Sequence, residues 1–360
     1  RRLRGQPGLP ERGLRLRADA GRVTRFVVRR LALAALVVLG VVVLTFVVAR
    51  VVPGDPAATW AGPRARSEQI EKAREELGLD RPIPVQIAEY VGGVASGDWG
   101  VSLRTRRPVL DDIGRRAPAS IELVAISMLL ALAVGIPLGL VAARWKGKVP
   151  DVGSRLVAVV GVSMPSFWLA IVLQLMFFQW LHLLPVAGTY DPNLDYTSPL
   201  HSITNMPIVD ALLTGNWAVF GSALRHVILP AIVIAAYPAG VITRMVRASV
   251  LDTIGEDHVR MVRALGFPER SVFARFALRH AWSPVVALLA LVFAYALVNT
   301  FLVEAIFNRP GLGSYAADAI GALDTPAILG VTLFVAIVYV IGNLLVDIVQ
   351  AVIDPRIQVS

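Results

Sequence analysis

Six stretches of roughly 20 residues, almost free of charge, alternate with charged blocks, and this alternation limits the fold more than any motif does. A helix needs about that length to cross about 30 Å of hydrocarbon. The stretches are Leu31–Val52, Ile121–Ala143, Leu156–Leu181, Val227–Ile242, Ala281–Val303 and Ala327–Leu345. An isolated strand in lipid would leave its amides unpaired, so each stretch is expected to be helical. The expected fold is an all-α integral membrane protein with six transmembrane helices. Composition agrees: of 360 residues 56% are hydrophobic and 17% charged, where a soluble domain carries about a quarter charged. Pro137 and Pro165 are expected to kink their helices. The span holding Pro230 and Pro238 is short, and its helix is expected to continue past Arg244.

Arginine and lysine placement gives an expected orientation. Ten arginines precede the first span, Arg144, Lys146, Lys148 and Arg155 follow the second, and seven arginines between Arg244 and Arg279 follow the fourth. The regions after the third and fifth spans hold only Arg225 and Arg309, and the arginine-rich segment 53–118 is too long for the rule and is balanced by acids, so both termini are expected on the cytoplasmic side. The chain then divides into a basic cytoplasmic tail (1–30), a first transmembrane helix (31–52), an extracytoplasmic region (53–118), a transmembrane core (119–353) with a cytoplasmic loop (245–280), and a cytoplasmic tail (354–360). The first apolar stretch is too long for a signal peptide and lacks a small-residue cleavage site, so it reads as an anchor. The net charge of +9 flanks apolar spans and does not form one basic domain, which favours membrane lipid over nucleic acid as the partner.

Outside the spans, Ser67-Glu68-Gln69 with Ile70, Ala73 and Leu77 predicts a capped amphipathic helix ending at Gly78, either covering the mouth of the bundle or docking a partner. Residues 185–225 read as loop, with Ile208–Phe220 at the membrane interface. In the cytoplasmic loop, Gly255, Gly266 and Pro268 punctuate a segment with helical composition, predicting a short helix over Glu256–Leu265 able to transmit a push; the plainer alternative is a solvated connection. No stretch fits the phosphate-cradling loop Gly-x-x-x-x-Gly-Lys-Ser/Thr, so ATP hydrolysis is expected on another polypeptide and the chain itself is expected not to be an enzyme. The five histidines show no metal-ligand spacing, and the chain has no cysteine. No catalytic, metal or cofactor site is expected. The mid-span polar residues are neutral, which argues against an ion-coupled carrier. Ser163, Ser166, Tyr237, Tyr295 and Asn299 are candidates for lining a pore, with ordinary helix packing as the alternative.

Several stretches, in order, are similar to one family. They include Pro53-Gly54-Asp55-Pro56, Leu77-Gly78-Leu79-Asp80, Gly97-Asp98-Trp99-Gly100, Pro118-Ala119-Ser120-Ile121-Glu122-Leu123, Gly135-Ile136-Pro137-Leu138-Gly139, Ser163-Met164-Pro165-Ser166-Phe167-Trp168, Pro310-Gly311-Leu312-Gly313 and Asp354-Pro355-Arg356. From about Arg25 onward the chain resembles the dipeptide/oligopeptide (and nickel) permeases of ABC importers. The resemblance implies the type I importer permease architecture in a bacterial-type cytoplasmic membrane. It also implies a coupling helix that docks on an ATPase, here Gly255-Glu256-Asp257-His258-Val259-Arg260-Met261-Val262-Arg263-Ala264-Leu265-Gly266. The family signature opens Glu-Ala-Ala where this chain has Arg260-Met261-Val262, and its later proline is displaced to Pro284, as in peptide-type members. The implied partners are a homologous second permease, two ATP-binding-cassette ATPase subunits carrying ATP and Mg, and an extracytoplasmic solute-binding protein. The implied solute is a di- or oligopeptide, with nickel or another small solute as the alternative, and a non-ABC channel or secondary carrier as the more distant one.

Overall fold

The computed structural model describes residues 32–33, 35–48, 55–62 and 64–353. The tails 1–30 and 354–360, the motif residues Pro53 and Gly54, and residues 31, 34 and 49–52 of the first expected span lie outside the described residues. Among the described residues every regular element is helical, apart from one isolated bridge between Val101 and Pro108.

The chain opens with the apolar helix α1 (Ala35–Val48), followed by α2 (Pro56–Ala61), α3 (Ser67–Glu76) and α4 (Ile83–Ser96). One carboxylate joins α2 to α3. Asp55 accepts from the Ala57 amide at 3.0 Å, capping α2, and its second oxygen accepts from Arg74 Nη2 of α3 at 2.6 Å. The capped amphipathic helix expected near Ser67 is present, but Ser67 is its first helical residue and not its cap. Gln69 Oε1 instead accepts from the Arg66 amide at 2.8 Å.

The bundle consists of α5 (Val109–Arg144), α6 (Val149–Ser163), α7 (Ser166–Gln174, prolonged by the π-helical segment Leu175–Trp180), the short α8 (Leu194–Thr197) and α9 (Pro207–Leu213), and α10 (Trp217–Ile254). After these come α11 (Asp257–Ala264), α12 (Glu269–Ser271, prolonged by the π-helical segment Val272–Ala277), α13 (Leu278–Ile306), α14 (Leu312–Gly321) and α15 (Thr325–Ile353). Helices α5, α10, α13 and α15 are long and apolar enough to cross a membrane. At 1.5 Å per residue the 36 residues of α5 and the 38 of α10 extend more than about 50 Å, so both project well beyond the hydrocarbon layer. The expected spans Ile121–Ala143 and Val227–Ile242 are therefore the middles of longer rods. Pro118 and Pro137 lie inside α5 and Pro230 and Pro238 inside α10, with each helix continuous.

The kink expected at Pro165 is present and sharp: α6 and α7 meet at 107°, the form of a broken span or a re-entrant turn. The cause is local, because Pro165 disfavours helical geometry at Met164, which adopts extended angles (φ −81°, ψ 128°). One expectation needs correction: residues 185–225 are not all loop, because they hold α8, α9 and the first turns of α10, and the stretch Ile208–Phe220 falls across the last two. Asn216 divides it, accepting from the Val219 amide at 3.2 Å to start α10 and donating to the Ser198 carbonyl at 2.9 Å. Residues 217–220 thus open the longest helix of the bundle.

Helix α10 is the axis. It runs parallel to α5 and antiparallel to α6, with α13 on a further side. Lipid offers no hydrophobic drive between helices, so close contact has to come from small residues. A Cβ on Gly240 would lie 2.5 Å from the Ala158 carbonyl oxygen of α6, and one on Gly161 would lie 2.6 Å from the Ala236 carbonyl oxygen of α10. These contacts are backbone on backbone, so neither neighbour can yield. Apolar groups fill the remainder: Leu123, Leu229, Val233, Ile234 and Val303 toward one end, and Ile242, Val246, Val250 and Val285 toward the other. Gly240→Ala is expected to destabilise the detergent-solubilised protein by about 1–3 kcal/mol, the range for overpacking, read as an earlier loss of the monodisperse peak on heating. An unchanged profile would contradict the close approach.

Candidate functional site

Halfway along the bundle, a chain of neutral polar contacts joins three helices. Ser166, the first residue after the Pro165 break, donates from Oγ to Asn299 Oδ1 of α13 at 2.8 Å. Asn299 Nδ2 donates to the Tyr295 carbonyl at 3.0 Å, one turn earlier. The Tyr295 ring stacks on Tyr237 of α10 with centroids 4.0 Å apart and planes at 23°. Four of the five pore-lining candidates are thus brought together by α7, α10 and α13. Ser163, the fifth, sits exposed at the last turn of α6, outside this chain of contacts. All four clustered residues are half-buried, so the patch faces a partly open space and not a sealed core.

The two ends of the bundle hold buried ionisable groups that the spacing of charges did not reveal. At the α9 end, Glu304 is 1% exposed and accepts from Ser120 Oγ at 2.5 Å and from the Gly313 amide at 2.6 Å. Ser120 Oγ in turn accepts from the Leu312 amide at 2.8 Å, tying α5, α13 and α14 together. Glu122 accepts from the amides of Ile208 and Val209 at 2.9 and 3.2 Å, which belong to the first turn of α9. Arg309, 3% exposed, lies in the field of both glutamates. Burial pushes its guanidinium down from the ordinary range, and Glu122 and Glu304 oppose that. Nearby, burial alone would raise the Asp210 carboxyl. Bonds from the Thr204 hydroxyl and amide (2.6 and 2.8 Å) and the Ser202 hydroxyl (3.3 Å) outweigh burial and hold it below the usual aspartate range.

At the α11 end, Asp151 is 2% exposed and makes a two-pronged contact with Arg247 of α10, Nε to Oδ1 at 2.8 Å and Nη2 to Oδ2 at 3.0 Å. The Gly147 amide completes its shell at 2.9 Å. The pair joins the turn between α5 and α6 to the part of α10 that leads into α11.

Helix α11 occupies eight residues, with Glu256 in the preceding cap position and Leu265 just after. Val259 is fully buried beneath it, whereas Met261 and Leu265 are about two-thirds exposed, at 64% and 65%. Arg263 reaches forward to Glu269 of α12 with Nε to Oε1 at 2.9 Å, and Arg260 contacts Asp257 at 3.5 Å. His258 Nδ1 lies 3.1 Å from Glu256 Oε2. Gly266 closes the segment at φ +78°, the left-handed region that favours glycine. Phe267 then meets Phe276 edge-on with centroids 5.5 Å apart. The result is a braced helix whose exposed side offers Met261 and Leu265 among the charged side chains of Asp257 and Arg260. The segment 255–266 therefore contains a helix with its own buried anchor and its own ion pair to α12.

Residues 135–359 match the family described as binding-protein-dependent transport system inner membrane component, and residues 23–124 match its N-terminal companion. The chain belongs to this permease family. The probable D,D-dipeptide transport system permease protein DdpB of Escherichia coli K12 is 40% identical over 322 residues, covering 89% of this chain and 94% of that protein. The dipeptide transport system permease protein DppB of the same organism is 38% identical over 337 residues, covering 93% and 98%. A solved structure titled for inward-facing conformations of the MetNI methionine ABC transporter aligns at TM-score 0.45 and 13% identity, over 66% of this chain and 94% of that one. This permease is a multi-pass membrane protein that works with other components of an ABC transporter.

Two outcomes follow for the permease. Arg247→Gln leaves Asp151 buried and unpaired, so a loss of about 3–5 kcal/mol is expected, visible as a lower thermal midpoint. The double change Arg247→Leu with Asp151→Leu should recover most of it. Because the Asp210 carboxyl is depressed in the folded state, its stabilisation is complete above the usual aspartate pKa and is lost as pH falls through the lower folded value. Asp210→Asn should therefore be less stable at neutral pH and show a shallower decline of thermal midpoint on acidification below about pH 4.

Proposed function

We propose that this chain is one half of the translocation channel of an ATP-driven importer of di- or oligopeptides. The homologous second permease provides the other half. Two ATP-binding-cassette subunits bind and hydrolyse ATP with Mg, an extracytoplasmic solute-binding protein delivers the peptide, and this chain carries no catalytic centre. Both termini and α11 face the cytoplasm in this reading, consistent with the arginine and lysine bias of residues 144–155 and 244–279. The peptide assignment takes its support from the printed functions of relatives that align along nearly their whole length.

The observation that carries the coupling role is the form of α11. An ATPase groove needs a short helix offering apolar side chains, held so that displacement of the helix displaces what lies behind it. Met261 and Leu265 are offered outward, and Val259 and the Arg263–Glu269 pair hold the helix from behind. Through Gly255 the segment continues directly from α10, whose Tyr237 takes part in the mid-bundle contacts. ATP-driven closure of the ATPase pair would thus shift α10 against α13 and α7, opening or closing the space that Ser166, Tyr237, Tyr295 and Asn299 border. The ATPases bias a two-state element in this scheme, and the permease supplies its two states.

Gly266→Pro tests the scheme. Proline fixes φ near −65°, incompatible with +78°, and removes the amide that donates to the Arg263 carbonyl at 2.9 Å. Membrane insertion should persist while peptide uptake by the reconstituted importer falls at least about tenfold and ATP hydrolysis no longer responds to the loaded binding protein. Normal coupled uptake by this variant would count against α11 as the lever.

A further inference from the structure

The α9 end of the bundle opens into a cleft of about 410 Å³, bordered by Arg107, Arg115 and Arg116 and by Asp112, Tyr190 and Asp210. A second cleft of about 440 Å³ adjoins it, sharing Arg116 and Tyr190 and adding Asp195, Arg309 and Asp318. Volumes of this order hold small ligands. By formal charge the lining is balanced, but the two signs differ in what they are already doing.

Every acid in the paired clefts is claimed. Asp112 accepts from Thr105 Oγ1 at 2.5 Å and from the Tyr315 hydroxyl at 3.2 Å. Asp210 is filled by Thr204 and Ser202. Asp195 accepts from the Tyr190 hydroxyl at 2.8 Å, and Asp318 from Arg104 Nη1 at 2.5 Å. The arginines are not matched in the same way. Among the described residues, Arg107, Arg115 and Arg116 have no carboxylate oxygen within the 4.0 Å of an ion pair, and Arg107 and Arg115 are exposed. Arg116 is half-buried and its guanidinium lies over the Tyr315 ring at 5.2 Å. A cleft in which each carboxylate already accepts at least one hydrogen bond, while three guanidiniums have no carboxylate partner, favours an anion over an ammonium group. A guanidinium fork matches a carboxylate in geometry as well as charge. Along α5, Arg116 stands one turn before Ser120, which donates to Glu304.

We propose that this cleft receives the free carboxylate of the transiting peptide, with Arg107, Arg115 and Arg116 as its ligands, before the peptide enters the bundle. The assignment rests on the peptide-importer reading above. Its role is to orient the peptide: the carboxylate end is held at the mouth while the remainder stays free to enter.

The test uses the assembled importer in proteoliposomes with its binding protein, offered an equimolar library of free dipeptides. Three forms are compared: wild type, Arg107→Gln/Arg115→Gln, and the charge-retaining Arg107→Lys/Arg115→Lys. Uptake and the affinity of the loaded binding protein for the importer are measured for each. The Gln pair should raise the half-saturation for uptake by about tenfold, the equivalent of one charge-assisted hydrogen bond. The Lys pair should retain most of the uptake, and docking of the binding protein should be the same in all three. Equal uptake by the Gln pair overturns the cleft assignment alone. A drop in docking affinity that accounts for the lost uptake also overturns it, since acidic side chains of the delivering protein would then be the occupant. A wild-type complex that imports no dipeptide overturns the peptide reading, and the cleft assignment with it.

Discussion

Backbone contact along α10 is the constraint from which the rest of the bundle follows. In lipid, two helices gain little by hiding leucines from each other, and they hold together where their backbones can touch. Gly161 and Gly240 let α6 and α10 touch, and the apolar layers above and below fill in around that contact. Because α10 also packs on α5 and α13, its position sets theirs. The same rod runs without interruption from Trp217, at the α9 end, past Tyr237 to Ile254, next to α11.

Polar groups are placed where such a rod needs anchoring. At the α11 end the Asp151–Arg247 pair grips α10 two turns before it exits. At the α9 end Glu304 and Glu122 gather amides from α14 and α9, so the loops that cover the bundle are tied to α5 and α13 by carboxylates. Between these clamps the polar contacts are neutral and few. Ser166, Asn299 and the two tyrosines are half-buried and joined by contacts that can be exchanged for water at small cost, which suits a region that has to change shape.

Much of this was legible before any coordinates. Helical spans at Ile121, Ala281 and Ala327 follow from runs about as long as the hydrocarbon layer is thick, the one at Val227 from a shorter apolar run expected to continue past Arg244, and α11 from Gly255, Gly266 and Pro268 bracketing a segment with helical composition. Four pore candidates chosen only as neutral polar or aromatic residues in apolar spans proved to be neighbours. What was not legible shares a cause. The kink at Pro165 was expected but its 107° angle was not, because hydropathy sees composition and is blind to direction. Residues 217–220 were read as part of a loop because aromatic content says nothing of the Asn216 cap that starts a helix there. The burial of Glu304, Arg309 and Asp151 was not legible, since it depends on partners 96 or more positions away or on a turn that folds back.

The sequence by itself determined that the chain lives in a membrane, which segments are helical, and where the short helix between α10 and α13 lies. All of these depend on residues close together along the chain: apolar run length, glycine and proline spacing, and charge at span ends. Only the tertiary structure decided the 107° turn between α6 and α7, the pairing of Asp151 with Arg247, and the contrast between hydrogen-bonded acids and arginines without carboxylate partners in the cleft at the α9 end. Those depend on which distant groups meet and in what orientation, and a hydrogen bond or ion pair is a property of two positions at once.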